Sequence, residues 1–210
     1  MQSRAVPPDS LFDDEISPTT RGVASVRAAE FDDAIVRLGR QLPASVHLGT
    51  SSWSFPGWQS IVYGDAYSES ALARVGLTAY AQHPLLRLAG IDRGYYQPLP
   101  RSDFVRYASQ VPAAFRFLVK APALVADAFM RGERGAPAEP NPYFLDVGTA
   151  IDQFIVPAIE GLASRAGPLL FQLPPLPREM SVGDATHSTI DRLGAFLGAL
   201  PRRVGEIAPL

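Results

Sequence analysis

Four short apolar runs, each followed by a stretch whose apolar residues recur at helical spacing, leave this chain few architectures to adopt. The third run is the clearest: Phe115, Phe117 and Val119 alternate with Arg116, Leu118 and Lys120, the period of a strand with two different faces. Comparable runs predict strands near 46–50, 86–91 and 168–173. Between them, Leu72, Val75, Ala79 and Tyr80 share one helical face, as do Phe104, Tyr107, Ala108 and Val111. A longer stripe runs from Val147 to Leu162, with Asp146 as its cap and Pro157 bending it. A last helix carries Ile190, Leu193, Phe196, Leu197 and Leu200. Strands that alternate with helices pair in parallel through right-handed crossovers.

Helix-opening GxGxxG motifs are absent, and polar residues gather where the strands end. The expectation is an α/β fold, a partial (β/α) TIM-type barrel of about four parallel strand–helix units. A helix with Phe31, Ala34, Ile35, Leu38 and Leu42 on one face is predicted to begin at Ala24 and to cap the base of the barrel. Residues 1–22 read as a flexible, Pro- and acid-rich arm in which Asp13, Asp14 and Glu15 are solvated, and residues 23–210 as one incomplete barrel domain. The stretch RGERGAPAEPNP (131–142) reads as a long loop. The twenty prolines fall mostly at junctions such as Pro84, Pro112, Pro174 and Pro175, where they end one element and stiffen the next turn.

Composition excludes several functions. Net charge is −2 with no basic run, which gives no reason to expect nucleic-acid binding. No apolar run reaches the ~18 residues of a membrane span, and the first residues lack a signal-peptide core. With no cysteine, there is neither a disulfide framework nor a thiolate metal site, and a cytoplasmic location fits best. His47, His83 and His187 show no ligand spacing. Ser51 and Ser52 lie outside any GxSxG elbow. Nothing in the sequence calls for a cofactor.

In α/β folds ligands bind where the parallel strands end. The first strand runs into VHLGTSSWSFPGW, which holds both tryptophans, Trp53 and Trp58. Ser51, Ser52 and Trp53 come from this unit, Asp92, Arg93 and Tyr96 from the second, Lys120 from the third and Gln172 from the fourth. Lys120 is the only lysine among eighteen arginines. Such a set suits a small polar ligand, with the aromatics meeting a sugar or base face and the cations a phosphate or carboxylate. Lys120 and Asp92 are the candidate catalytic residues, Asp92 as acid or base and Lys120 as an amine nucleophile if burial deprotonates it. Two bland readings stand beside this one: the tryptophans pin the loop, and Lys120 and Asp92 form a structural ion pair.

Three stretches, LGTSSWSFPGW, YYQPLP with FRFLVKAP downstream, and LLFQLPP, together resemble the YecE-like family, a TIM-barrel domain family of unknown function. The resemblance covers about Val46 to Pro175. It implies a glutamate and an asparagine in the second strand, where this chain has Gly90 and Asp92. It also implies further strands, the next bearing a Val-Glu-x-Arg-like segment, whereas the sequence closes on PRRVGEIAPL. Half a barrel leaves an open edge and an uncovered inner face. The expectation is that the chain is truncated, or that a second chain or a second copy completes it. Two functions follow from the sequence: a protein that binds or converts a small phosphorylated or sugar-like metabolite, or a non-catalytic binding and assembly module.

Overall fold

The computed structural model describes residues 25–132 and 137–204. Its centre is a four-stranded sheet in the order β1 (Leu48–Thr50), β2 (Leu86–Ile91), β3 (Arg116–Lys120), β6 (Ala166–Leu170). Every pairing is parallel, as the strand–helix alternation requires. Rungs Leu88–Arg116 through Ile91–Val119 join β2 to β3, and Lys120 pairs with Leu170 of β6.

The alternation read from β3 holds. Phe117 and Val119 are buried, whereas Arg116, Leu118 and Lys120 are half-buried on the other face. The buried face is dominated by aromatic rings. Trp53 meets Tyr107, Tyr107 meets Phe117, Phe117 meets Phe115, Phe115 meets Tyr80 and Tyr80 meets Trp58, with centroids 5.1 to 6.4 Å apart. Helices α2 (Glu69–Val75) and α3 (Leu77–Tyr80) meet at Gly76, which splits the predicted single helix. Helix α4 (Arg101–Ala108) packs on α7 (Val156–Leu162). A Cβ on Gly161 would lie 2.5 Å from that of Phe104 and 2.8 Å from the Arg101 carbonyl oxygen, so this crossing admits only glycine.

The predicted stripe from Val147 is one run of helix in three parts: α6 (Val147–Ala150), a π-helical segment Ile151–Ile155, then α7. Asp146 caps it, accepting from the Thr149 N–H at 2.7 Å. The wide turn falls immediately ahead of Pro157, whose missing N–H and bulky ring do not fit a regular i→i−4 ladder. A turn through Ala163, at φ 50°, ends the helix.

Several boundaries differ from the sequence reading. The first helix is only α1 (Asp33–Gln41), capped by Asp32 through the Ala34 N–H at 2.6 Å. The residues ahead of it are extended: Ala29 N–H donates to Val62 O and Gly64 N–H to Arg27 O, both at 2.9 Å. The α1 face that meets the body runs through Gly39 rather than Leu38, and Arg87 donates to the Gly39 carbonyl at 2.6 Å. The fourth strand, expected near 168–173, starts at Ala166 and ends at Leu170. Residues 131–142 contribute to a hairpin of β4 (Phe129–Arg131) and β5 (Pro137–Pro140), a two-stranded ribbon, the kind of edge that tolerates proline. Between this ribbon and β3 lies the short α5 (Ala123–Ala126), and after β6 come α8 (Arg178–Ser181) and α9 (Asp184–Ala199). In α9 only Phe196 of the expected apolar face is buried, and Ile190 and Leu197 are exposed. The predicted arm, with Asp13, Asp14 and Glu15, and the last six residues lie outside the described residues.

On the open face of the sheet Leu48 and Leu170 are exposed. β1 and β6 are the sheet's two edges among the described residues. No described helix is long and apolar enough to cross a membrane.

The α4–α7 crossing yields a prediction. Alanine in place of glycine favours a helix by ~1 kcal/mol, but overpacking against immobile backbone costs about 1–3 kcal/mol or more. Gly161→Ala is therefore expected to destabilise the fold by ~1–2 kcal/mol in urea denaturation; a stabilised variant would show that the crossing is loose.

Candidate functional site

All four strands release their chains at one end of the sheet, and the residues expected there do converge. Two hollows open at this end. The larger, about 350 Å³, is lined by Asp92, Tyr95, Tyr96, Lys120, Gln172 and the Pro174–Pro175 step. The smaller, about 130 Å³, is lined by Ser51, Ser52, Trp53, Ser54, Asp92 and Arg93, with Gly90, Ile91 and Tyr107 deeper in. Asp92 lines both. Every residue nominated from the sequence therefore borders one hollow or the other.

Backbone geometry explains the arrangement. One residue beyond the last β2–β3 rung come Asp92 and Lys120. At Asp92 the chain leaves the extended conformation (φ −94°, ψ −17°) and enters a single 3-10 turn, Arg93–Tyr95. The Tyr95 N–H donates to the Asp92 carbonyl at 2.9 Å. This turn drops Tyr95 beside the end of β3, and the Lys120 ammonium lies over its ring, 4.3 Å from the centroid.

The ion pair between Lys120 and Asp92, the alternative reading of these two residues, is not formed. No carboxylate stands within ion-pairing distance of Lys120 among the described residues. Once Asp92 enters the turn, its side chain no longer follows the alternation that would have set it beside the lysine. The lysine's partner is an aromatic face instead, a contact worth ~0.5–2 kcal/mol.

Tyr95 itself was missed by sequence reasoning; its place in the GYY triplet next to the nominated Tyr96 was the available signal. Burial, and secondarily the charge of Asp127, push its phenol above the ordinary value. It therefore meets Lys120 as a neutral ring rather than a phenolate. Asp127 is buried at the base of the β4–β5 hairpin, where it accepts from Arg131 Nε at 2.6 Å and the Phe129 N–H at 3.1 Å. The Tyr96 ring, by contrast, stands at the rim with 90% of its surface exposed.

The two tryptophans divide. Trp53 is buried, its indole N–H donating to the Leu72 carbonyl at 3.1 Å. It forms a wall of the smaller hollow, and little of its face is open for stacking. Trp58 lines neither hollow. Its carbonyl accepts from the N–H groups of Ile61, Val62 and Tyr63, so it pins the loop.

In the smaller hollow the Ser52 and Ser54 hydroxyls lie 3.1 Å apart, and Ser52 Oγ also accepts the Ser54 N–H. Arg93 donates to the Tyr107 hydroxyl at 3.4 Å and forms no ion pair among the described residues. The loop after β1 passes so close to β2 that a Cβ on Gly90 would sit 2.6 Å from the Ser51 carbonyl oxygen. The glutamate expected at this place from the family resemblance has no room here.

Comparison with known proteins agrees on the family. The model of the family described as "Protein of unknown function DUF72" matches residues 47–208. Two crystal structures of a DUF72 family protein from Enterococcus faecalis V583 are similar to this chain. The one at 3.10 Å shares 20% identity over 74% of this chain and 48% of that one, with a TM-score of 0.46. The one at 2.52 Å shares 18% over 74% and 49%, with a TM-score of 0.39. This chain thus spans about half the length of those solved chains. Comparison with curated proteins gave no match.

The contrast between Trp53 and Tyr96 is directly measurable. Trp53→Ala opens a cavity in the core and is expected to cost about 3–5 kcal/mol. Tyr96→Ala removes a solvated ring and should change stability by less than about 0.5 kcal/mol. Equal losses in chemical denaturation would refute this division of roles.

Proposed function

We propose, for a chain that belongs to the DUF72 family of proteins of unknown function, that the ends of its parallel strands bind a small polar metabolite carrying a phosphate or sugar-acid group. In this reading the four strand–helix units are part of a (β/α) barrel, and the site occupies the ligand-binding end of that architecture. The observation that carries it is Lys120: an ammonium at a strand end, in a hollow of about 350 Å³, set on an aromatic ring and matched by no carboxylate among the described residues. A lysine in such surroundings is a compact point charge available to an incoming anion. The Gln172 carboxamide and the exposed Tyr96 ring complete a polar-and-aromatic lining suited to a sugar-like body. Conversion, as distinct from binding, would fall to Asp92 as general acid or base.

The test is Lys120→Met, with thermal melting and calorimetric binding to phosphorylated sugars and sugar acids read together. Binding is expected to weaken about tenfold or more, as for loss of one charge-assisted contact. Stability should fall by no more than ~2 kcal/mol, the upper end for a cation–π contact. A collapse in stability, or unchanged affinity, would make Lys120 structural.

Exposed Leu48 and Leu170 on the open sheet face favour a second reading, an assembly module in which this face meets another chain or copy. Sedimentation of the purified chain is then expected to show a concentration-dependent shift to a larger species, and Leu48→Lys should abolish it. A monomer at all concentrations counts against this reading.

A further inference from the structure

Resting on the metabolite-binding reading, we infer that the ligand is two-ended, with one anionic group on Lys120, a second on Arg93, and a hydroxyl-bearing middle that passes Asp92. Three features of the site lead there. First, Asp92 lines both hollows, so they are adjoining parts of one site. Second, each hollow supplies one cation, and neither cation has a carboxylate partner among the described residues. Arg93 has only the long bond to the Tyr107 hydroxyl, at 3.4 Å. A ligand with two anionic groups can meet both cations at once, whereas one with a single anion can meet only one of them. Third, the hollows differ in size. The smaller, at about 130 Å³ against about 350 Å³, suits the more compact end of a ligand. A phosphate or carboxylate is such an end.

The chemistry around each cation fits this division. Arg93 offers planar, forked donors, the geometry that matches a carboxylate or phosphate, and the Ser52 and Ser54 hydroxyls line the same hollow. Lys120 offers a point charge in the roomier hollow, with Gln172 alongside. Between the two, the single carboxylate of Asp92 would repel an anion but accept hydrogen bonds from hydroxyls. The sequence of groups along the site is therefore cation, hydroxyl acceptor, cation. A sugar bisphosphate or a phosphorylated sugar acid presents the complementary sequence.

The experiment is calorimetric titration of the chain with fructose monophosphate, fructose bisphosphate, gluconate and phosphogluconate, repeated with Arg93→Met after melting confirms that the variant is folded. Arg93 is exposed, so folding should be unaffected. The two-ended probes are expected to bind at least about tenfold more tightly than their one-ended counterparts, the increment of one charge-assisted contact. Arg93→Met should erase that difference. One-ended probes that bind as tightly as two-ended ones would overturn this inference and leave the metabolite-binding reading standing, as would a two-ended preference that survives Arg93→Met. No binding by any of the four would overturn both.

Discussion

The row of aromatic contacts from Trp53 through Tyr107, Phe117, Phe115 and Tyr80 to Trp58 is what the rest of this structure depends on. Each edge-on or tilted pair contributes ~0.5–1.5 kcal/mol beyond the area it buries, and the row crosses four separate elements: the loop after β1, α4, β3 and α3. It begins and ends in the same loop. That loop carries Ser51, Ser52 and Ser54, so the serine side of the site is held at both ends by the core. A polar surface loop would otherwise be mobile. The Trp53 indole bond to Leu72 and the three N–H groups gathered on the Trp58 carbonyl add direction to what the rings supply in area.

The other side of the site is fixed by a different device. Lys120 ends a strand whose alternate residues, Phe117 and Val119, are buried, so its own direction is set by the pleat. Tyr95 reaches it from a one-turn helix, and burial and the charge of Asp127 raise its phenol above the ordinary value. The ion pair of buried Asp127 with exposed Arg131 braces the β4–β5 hairpin. Removing Arg131 would take the charge partner from a buried carboxylate. The cation at the site is thus held by a rigid strand, a neutral ring and a hairpin base, while its ammonium remains unmatched by any described carboxylate.

Much of this was legible in the sequence where side-chain period is sharp. β2 and β3 fall where the alternation puts them, and the residues at their ends do meet. The reading failed where backbone chemistry overrides period. β6 begins earlier than its apolar run because Ala166 pairs with Phe117 of β3 without looking like a strand residue. The β4–β5 hairpin is written in proline, glycine and charge, which read as loop by composition. Asp92 and Lys120 are neighbours in register, yet the turn that starts at Asp92 separates their side chains, and no pattern of residue types announces such a turn. Gly90 is the converse case. The sequence shows only that a glutamate is missing; the approach of the Ser51 carbonyl shows why none fits.

The edge of the sheet and the site are not independent places. Leu170 pairs with Lys120 on one side and lies on the sheet's edge among the described residues on the other. Two residues later Gln172, then Pro174 and Pro175, form the far wall of the larger hollow. An edge strand offers unpaired backbone groups to any extended segment that reaches it, and a segment added along β6 would run past this wall. Parallel pairing would also bring that segment's own C-terminal end to the same rim. The two prolines limit how far such pairing extends, since neither Pro174 nor Pro175 has an N–H to donate. Pairing at the edge is thereby confined to the stretch before them, and the wall of the hollow keeps its shape whether or not the edge is occupied.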